Sequence, residues 1–228
     1  MSNYVIELPP VPTLPVAGSD ALFPVRRIYC IGRNYAAHTI EMGGDPNREA
    51  PFFFQKNPNN IDLTGEFPYP AHSNDVHFEV EMAVALKSGG TNIPVDQALD
   101  HVFGYGVCLD MTRRDLQGEA KKLGRPWEIG KAFERSGPSG PLHTVAEVGH
   151  IDHGRIELKV NGQIRQEGDI NQMIWKVPEM ISYLSEYFEL AAGDVIMSGT
   201  PSGVGPVQRG DVMVMSAAGL GSVEVRVV

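Results

Sequence analysis

Apolar positions along this chain gather in short runs separated by Gly, Pro, Asn and Asp, a pattern that favours strands over helices. Residues 27–32 (RIYCIG) and 52–54 read as strands, and residues 103–109 (FGYGVCL) as a strand buried on both faces. Residues 77–86 alternate and are partly β-branched, which predicts a single strand. Asn161-Gly162, between runs at 156–160 and 163–166, marks a hairpin with a type I′ turn. Gly193-Asp194, Gly210-Asp211 and the turn at 219–221 then feed strands at 195–198, 212–215 and 223–228.

Helical spacing is rarer. Asn34 caps a predicted helix that runs to Met42 and stops at Gly43-Gly44. Residues 112–123 form a second, with Thr112 and Asp115 placed as a capping box and Gly124 at its end. A third spans 178–188, with Val177, Ile181, Leu184 and Phe188 on one apolar stripe. Residues 57–74, rich in Asn, Pro and Gly, read as loop with brief extended pieces. The Pro-rich start reads as an extended arm over 1–26 with a short strand at 4–8. Strands and helices do not alternate, so the expected class is α+β: mixed β-sheets with a few inserted helices, in one unit over 27–228.

Composition adds limits. A chain of 228 residues buries about 70% of its unfolded surface and needs no disulfide or zinc to fold. With 28 Asp+Glu against 19 Lys+Arg, the formal charge of −9 argues against nucleic acid or an anionic membrane as partner. Cys30 and Cys108 lie inside apolar runs and read as reduced, buried thiols, which fits a cytoplasmic setting. The start lacks a basic segment followed by an unbroken apolar one, so no signal peptide is expected, and no run approaches about 18 apolar residues.

The candidate chemistry is acidic. Glu79 and Glu81, two apart in a strand, project to one face while Val80, Met82 and Val84 point the other way. Carboxylates so close repel, and a divalent cation relieves the conflict, hard oxygen donors selecting Mg²⁺, Ca²⁺ or Mn²⁺. The same pattern also suits a solvated strand face. Asp110 follows the buried run 103–109, at a sheet edge where sites form, and Arg114 and Gln117 lie beyond it on one helix face. His38 and Glu41, at i and i+3, have the spacing of a base and its orienting carboxylate, though also that of a surface contact. Lys131, in a Gly-flanked loop, either steadies developing negative charge or is solvated. G-x-S-x-G, P-loop, C-x-x-C and an early G-x-G-x-x-G are absent from the sequence, which weakens covalent-serine, nucleotide and thiol chemistries.

Six ordered blocks, IGRNYAAHTIEM, HFEVEMAVAL, GYGVCLDMTRRDLQ, GKAF, LKVNGQIRQEG and GDVIMSGTPSGVGPV, together resemble the fumarylacetoacetate hydrolase family, in its short acylpyruvase form, from residue 27 to the C-terminus. The resemblance implies a rolled set of mixed β-sheets, usually a homodimer, with Mg²⁺ or Mn²⁺ held by Glu79, Glu81 and Asp110. It implies His38 and Glu41 as the water-activating dyad and Lys131 beside the leaving fragment. Arg114, Gln117 and Thr200 look like substrate contacts, as does Lys56, although the usual Lys-Pro reads Lys56-Asn57-Pro58 here.

The resulting expectation is a small 2-oxo acid substrate whose carbon–carbon bond is hydrolysed. His38 deprotonates a water that attacks the distal carbonyl, Lys131 or Gln117 supports the oxyanion, and an acid and pyruvate leave. The block FFFQK looks like members that act on fumarylpyruvate, giving fumarate. An oxaloacetate decarboxylase or a 2-oxo dicarboxylate isomerase needs the same metal site without an attacking water, and a non-catalytic binder of oxo acids is the remaining alternative. Segments 42–49 and 59–70 are candidates for setting specificity.

Overall fold

The computed structural model describes residues 4–41 and 50–228. Its centre is a six-stranded mixed sheet. Strand β1 (Arg27–Gly32) leads to helix α1 (Ala36–Glu41), and β2 (Phe52–Lys56) returns antiparallel to β1 as an edge strand. A short strand β3 (Val76–Phe78) precedes β4 (Val80–Leu86), which pairs antiparallel with β5 (Val102–Leu109). Helices α2 (Arg114–Lys122) and α3 (Glu128–Lys131) follow. The hairpin β6 (Arg155–Val160) and β7 (Gln163–Asp169) belongs to a second, five-stranded sheet. Helix α4 (Val177–Tyr187) leads to β8 (Asp194–Met197), which inserts between β1 and β4, parallel to the first and antiparallel to the second. Strands β9 (Val212–Ala217) and β10 (Ser222–Val227) complete the second sheet. The expected α+β class of mixed sheets with few helices is the observed one.

Alternation divides the central sheet into two apolar faces. Met82, Val84, Val107, Leu109 and Ile196 face the larger core, against Ile156 and Leu158 of β6, Met213 and Met215 of β9, and Ile181 and Leu184 of α4. Ala83, Ala85, Cys30, Cys108 and Met197 face a smaller layer covered by Leu14, Val16, Phe23 and Val25. Both cysteines are free and buried, and burial pushes their thiols up, keeping them protonated. No helix among the described residues is long and apolar enough to cross a membrane.

The hairpin turn is built as expected, with Asn161 at φ 51° and Gly162 at φ 79°, the left-handed pair a type I′ turn needs. Several expectations differ. Residues 4–8 form no strand; the first pairing is Thr13–Pro15 with Leu22–Pro24, after the prolines at 9, 10 and 12, which donate nothing to a ladder. The strand expected over 77–86 breaks at Glu79, because the Val80 N–H goes to the Gln166 side chain and the Glu79 carbonyl to the Asp110 N–H. Helix α2 begins at Arg114 without a capping box. Thr112 is in a short strand paired with His77, and Asp115 turns outward to the Ser73 hydroxyl and the Asn74 N–H. Asn34 caps no helix. Its side chain accepts from the Trp175 N–H at 2.7 Å and donates to the Trp175 and Ser198 carbonyls, tying α1's entry to the loop after β8. The expected stop at Gly43-Gly44 lies outside the described residues.

Candidate active site

The break at Glu79 shapes the site. Glu79 and Glu81 leave the end of β4, and Asp110 leaves the end of its neighbour β5, so that one oxygen from each of the three falls within 4.8 Å of the others. All three are buried. The Lys131 ammonium donates to Glu79 Oε2 at 2.8 Å, Asp110 Oδ2 at 2.7 Å and Thr112 Oγ1 at 2.7 Å. Arg114 pairs with Glu79 Oε1 and donates to Gln117 Oε1 at 2.8 Å. Glu81 receives the Gly199 N–H at 2.8 Å. Lys131 belongs to a one-turn helix rather than to a loop, and it is 2% exposed, so the solvated reading of this residue fails.

The charges divide the carboxylates into two kinds. Burial alone would raise Glu79, but Lys131, Arg114 and His38, in that order, hold it well below the usual carboxylate range. Glu81 is pushed up, first by burial and then by Asp110 and Glu79. An acidic group kept at odds with its neighbours, in an all-oxygen donor set closed to bulk water, is what a hard divalent cation stabilises. The residues present therefore fit Mg²⁺ or Mn²⁺, with Glu79, Glu81 and Asp110 as the holders.

His38, 6% exposed, lines the same cavity. Its Nδ1 lies 3.2 Å from Glu41 Oε2, and both Glu41 oxygens accept the Gly203 N–H at 3.1 Å. The carboxylate fixes Nδ1 as the protonated nitrogen, which leaves Nε2 as the basic one. Gly203 has φ 94°, and a Cβ there would meet the Arg165 carbonyl oxygen at 2.2 Å, so glycine is required to bring this N–H to Glu41. The loop after β8 thus serves three walls: Gly199 holds Glu81, Thr200 lines the cavity, and Gly203 holds Glu41.

Arg114, Gln117, Lys131 and Thr200 all line the cavity with the triad and His38. Lys56 does not. Its side chain is fully buried behind Asp110, at 2.8 Å from Oδ1 in a contact outside hydrogen-bond geometry. It also donates to the Met111 carbonyl at 3.2 Å, to Ser136 Oγ at 2.9 Å and to the Lys131 carbonyl. The structure therefore corrects its expected role from substrate contact to support of Asp110. Lys56→Met is expected to cost about 3–5 kcal/mol of stability, the scale of breaking a buried pair, read as a drop in the urea midpoint. Segment 59–70 is corrected likewise: none of it lines the cavity, Ile61–Asp62 pairing instead with Gly137–Pro138 and Glu66–Phe67 with β10. Segment 42–49 lies outside the described residues.

Sequence reasoning missed Lys121, Trp127, Phe52 and Gln166. Lys121 continues the stripe Arg114, Gln117 by one more turn, a spacing visible in the sequence, and its ammonium sits 4.9 Å from the Trp127 ring centre. Phe52 meets Trp127 edge-on at 5.4 Å, and both rings line the cavity.

The sequence profile described as fumarylacetoacetate (FAA) hydrolase, C-terminal, matches residues 27–228. A crystal structure of fumarylpyruvate hydrolase from Pseudomonas aeruginosa, in complex with Mn²⁺ and pyruvate, superposes with a TM-score of 0.97 at 51% identity, covering 99% of each chain. Oxaloacetate tautomerase YcgM of Escherichia coli is 39% identical over 198 residues, 86% of this chain and 90% of that one. The mitochondrial oxaloacetate decarboxylase of Dictyostelium discoideum is 40% identical over 197 residues, again 86% and 90%. With its sheets, its buried oxygen triad and its ordered motifs all in agreement, the chain belongs to the fumarylacetoacetate hydrolase family.

Proposed function

We propose that this enzyme hydrolyses an acylpyruvate, a 2,4-dioxo acid, and that fumarylpyruvate is the best-fitting substrate. The observation that carries the reading is a base and an oxygen triad on one cavity: His38, aimed through Nδ1 by Glu41, beside Glu79, Glu81 and Asp110. A bound divalent cation supplies Lewis-acid polarisation of the 2-oxo acid head. His38 Nε2 takes a proton from water as the oxygen adds to the C4 carbonyl. Gln117, whose Oε1 is taken by Arg114, offers its Nε2 hydrogens to the oxyanion, while the three Lys131 hydrogens are already given to Glu79, Asp110 and Thr112. The C3–C4 bond then breaks, the electron pair passing into the pyruvate enol, and a proton to C3 completes pyruvate. The other product is the acid, fumarate in the proposed case.

Charge favours a diacid. Arg33, Arg114, Lys121 and Lys131 line the cavity against Glu79, Glu81 and Asp110, and a divalent cation adds to the positive surplus. At about 1.5 Å per residue, Lys121 stands roughly 10 Å along α2 from Arg114, a separation suited to a second carboxylate at the far end of the substrate. Burial, followed by Arg114, Arg33 and Lys131, holds the Lys121 ammonium below its ordinary value, a group that an incoming anion would stabilise. In an ultraviolet assay with Mg²⁺, kcat/KM for fumarylpyruvate should exceed that for acetylpyruvate by at least about tenfold, one ion-pair's worth of discrimination. Conversion of oxaloacetate with no turnover of either acylpyruvate would refute the hydrolase reading. Oxaloacetate is the second substrate to consider, because it is also a dianion and two relatives are named for acting on it.

A further inference from the structure

We propose that Gln166 is a positioning residue that makes the Thr200 hydroxyl an obligatory hydrogen-bond donor toward an anionic oxygen of the bound 2-oxo acid. This deepens, and rests on, the acylpyruvate reading above. Gln166 is 1% exposed in a strand whose neighbours Arg165 and Glu167 face solvent. Its Oε1 accepts the Val80 N–H at 3.0 Å, and its Nε2 donates to the Pro201 carbonyl at 2.8 Å. A backbone N–H only donates and a carbonyl only accepts, so the amide has a single orientation. Nε2 therefore donates its second hydrogen to Thr200 Oγ1, 2.8 Å away.

Thr200 is 2% exposed and lines the cavity. Among the described residues, its hydroxyl makes that one contact, and it makes it as acceptor. A hydroxyl has one hydrogen; with its oxygen committed to Gln166, that hydrogen is left for an acceptor that arrives in the cavity. Were residue 166 an acceptor, the same hydroxyl would turn its hydrogen toward it and present only lone pairs to the substrate. A carboxylate would then meet repulsion where the present arrangement offers a donor. The amide also fixes the Val80 N–H, next to the break that frees Glu79, so one side chain joins the hydroxyl wall to the acidic wall.

The test is a double-mutant cycle on Gln166→Glu and Thr200→Val, with oxalate titrated calorimetrically into the Mg²⁺-loaded protein and kcat and KM measured separately. Loss of one hydrogen bond to a charged oxygen predicts about 10- to 100-fold weaker oxalate binding in either single variant, seen as a raised KM. Thr200→Ser, which keeps the hydroxyl, should retain binding. In the Thr200→Val background, Gln166→Glu should add little, because its route through the hydroxyl is gone. An undiminished effect there would overturn the inference, since the added charge alone would then explain it, as would unchanged binding in Gln166→Glu. If Gln166→Glu does not fold, Gln166→Met, which removes the donor without supplying an acceptor, should weaken oxalate binding by less than Thr200→Val does, and an undiminished effect in the Thr200→Val background would overturn the inference in the same way. Failure of the unaltered protein to bind oxalate or any 2-oxo acid would instead remove the acylpyruvate reading, and this inference with it.

Discussion

Glu79→Gln is expected to abolish turnover and divalent-cation binding together, while the metal-free protein loses about 3–5 kcal/mol of stability. The amide keeps the shape but removes the charge that meets Arg114 on one oxygen and Lys131 on the other. Isothermal titration with Mg²⁺ and Mn²⁺, and urea unfolding of the metal-free protein, read the two effects. The pH dependence has a definite sign. Glu79 is held below its ordinary value of 4.5, so its stabilisation is present above that value and lost as pH falls through the lower folded one. The variant should therefore show a shallower loss of stability into acid than the unaltered protein. Glu81 behaves oppositely. Its folded value is raised, first by burial, so the ionised form opposes folding as pH rises through and above 4.5. Glu81→Gln should thus bind no cation yet leave the metal-free protein more stable near neutral pH. Full activity in Glu79→Gln would remove the metal assignment.

These opposite signs were not legible in the sequence, although the residues were. The alternation of Val80, Met82 and Val84 against the carboxylates gave the face correctly, because a period of two survives any local break. What it did not give was the break itself. Val80 exchanges a strand partner for the side chain of Gln166, far along the chain, and only the packed fold brings the two together. The same reason defeats the capping box at Thr112. Local spacing proposed Asp115 as its partner, but Lys131 and the Asp110 carbonyl claim the hydroxyl, and Ser73 claims the carboxylate. Lys56 shows the limit from the other side: the family resemblance offered it as a substrate contact, and its burial behind Asp110 depends on Ser136 and the Met111 and Lys131 carbonyls meeting there. Lys121 is different, since its i, i+7 relation to Arg114 was present in the sequence.

His38→Ala is expected to lower hydrolytic turnover by about 10²–10⁴-fold with cation affinity unchanged, because general-base assistance is worth that much and no carboxylate of the triad bonds to the imidazole. Burial lowers the His38 value from 6.5 despite the opposing pull of Glu79 and Glu41, so the ring is neutral at pH 7 and its Nε2 is free to accept a proton. The acidic limb of kcat/KM should accordingly fall below pH 6.5, and it should vanish in the variant. A limb at or above 6.5 would assign it to another group. The variant also separates the two chemistries this cavity suits. Hydrolysis needs a base to activate water, whereas loss of CO₂ from oxaloacetate needs only an electron sink for the carbanion. An alanine that stops acylpyruvate hydrolysis and spares oxaloacetate decarboxylation therefore places His38 on the water. Tautomerisation moves a proton between carbon and oxygen, so a parallel loss there and in hydrolysis would give His38 a proton-transfer role in both reactions, on water in one and on the substrate carbon in the other.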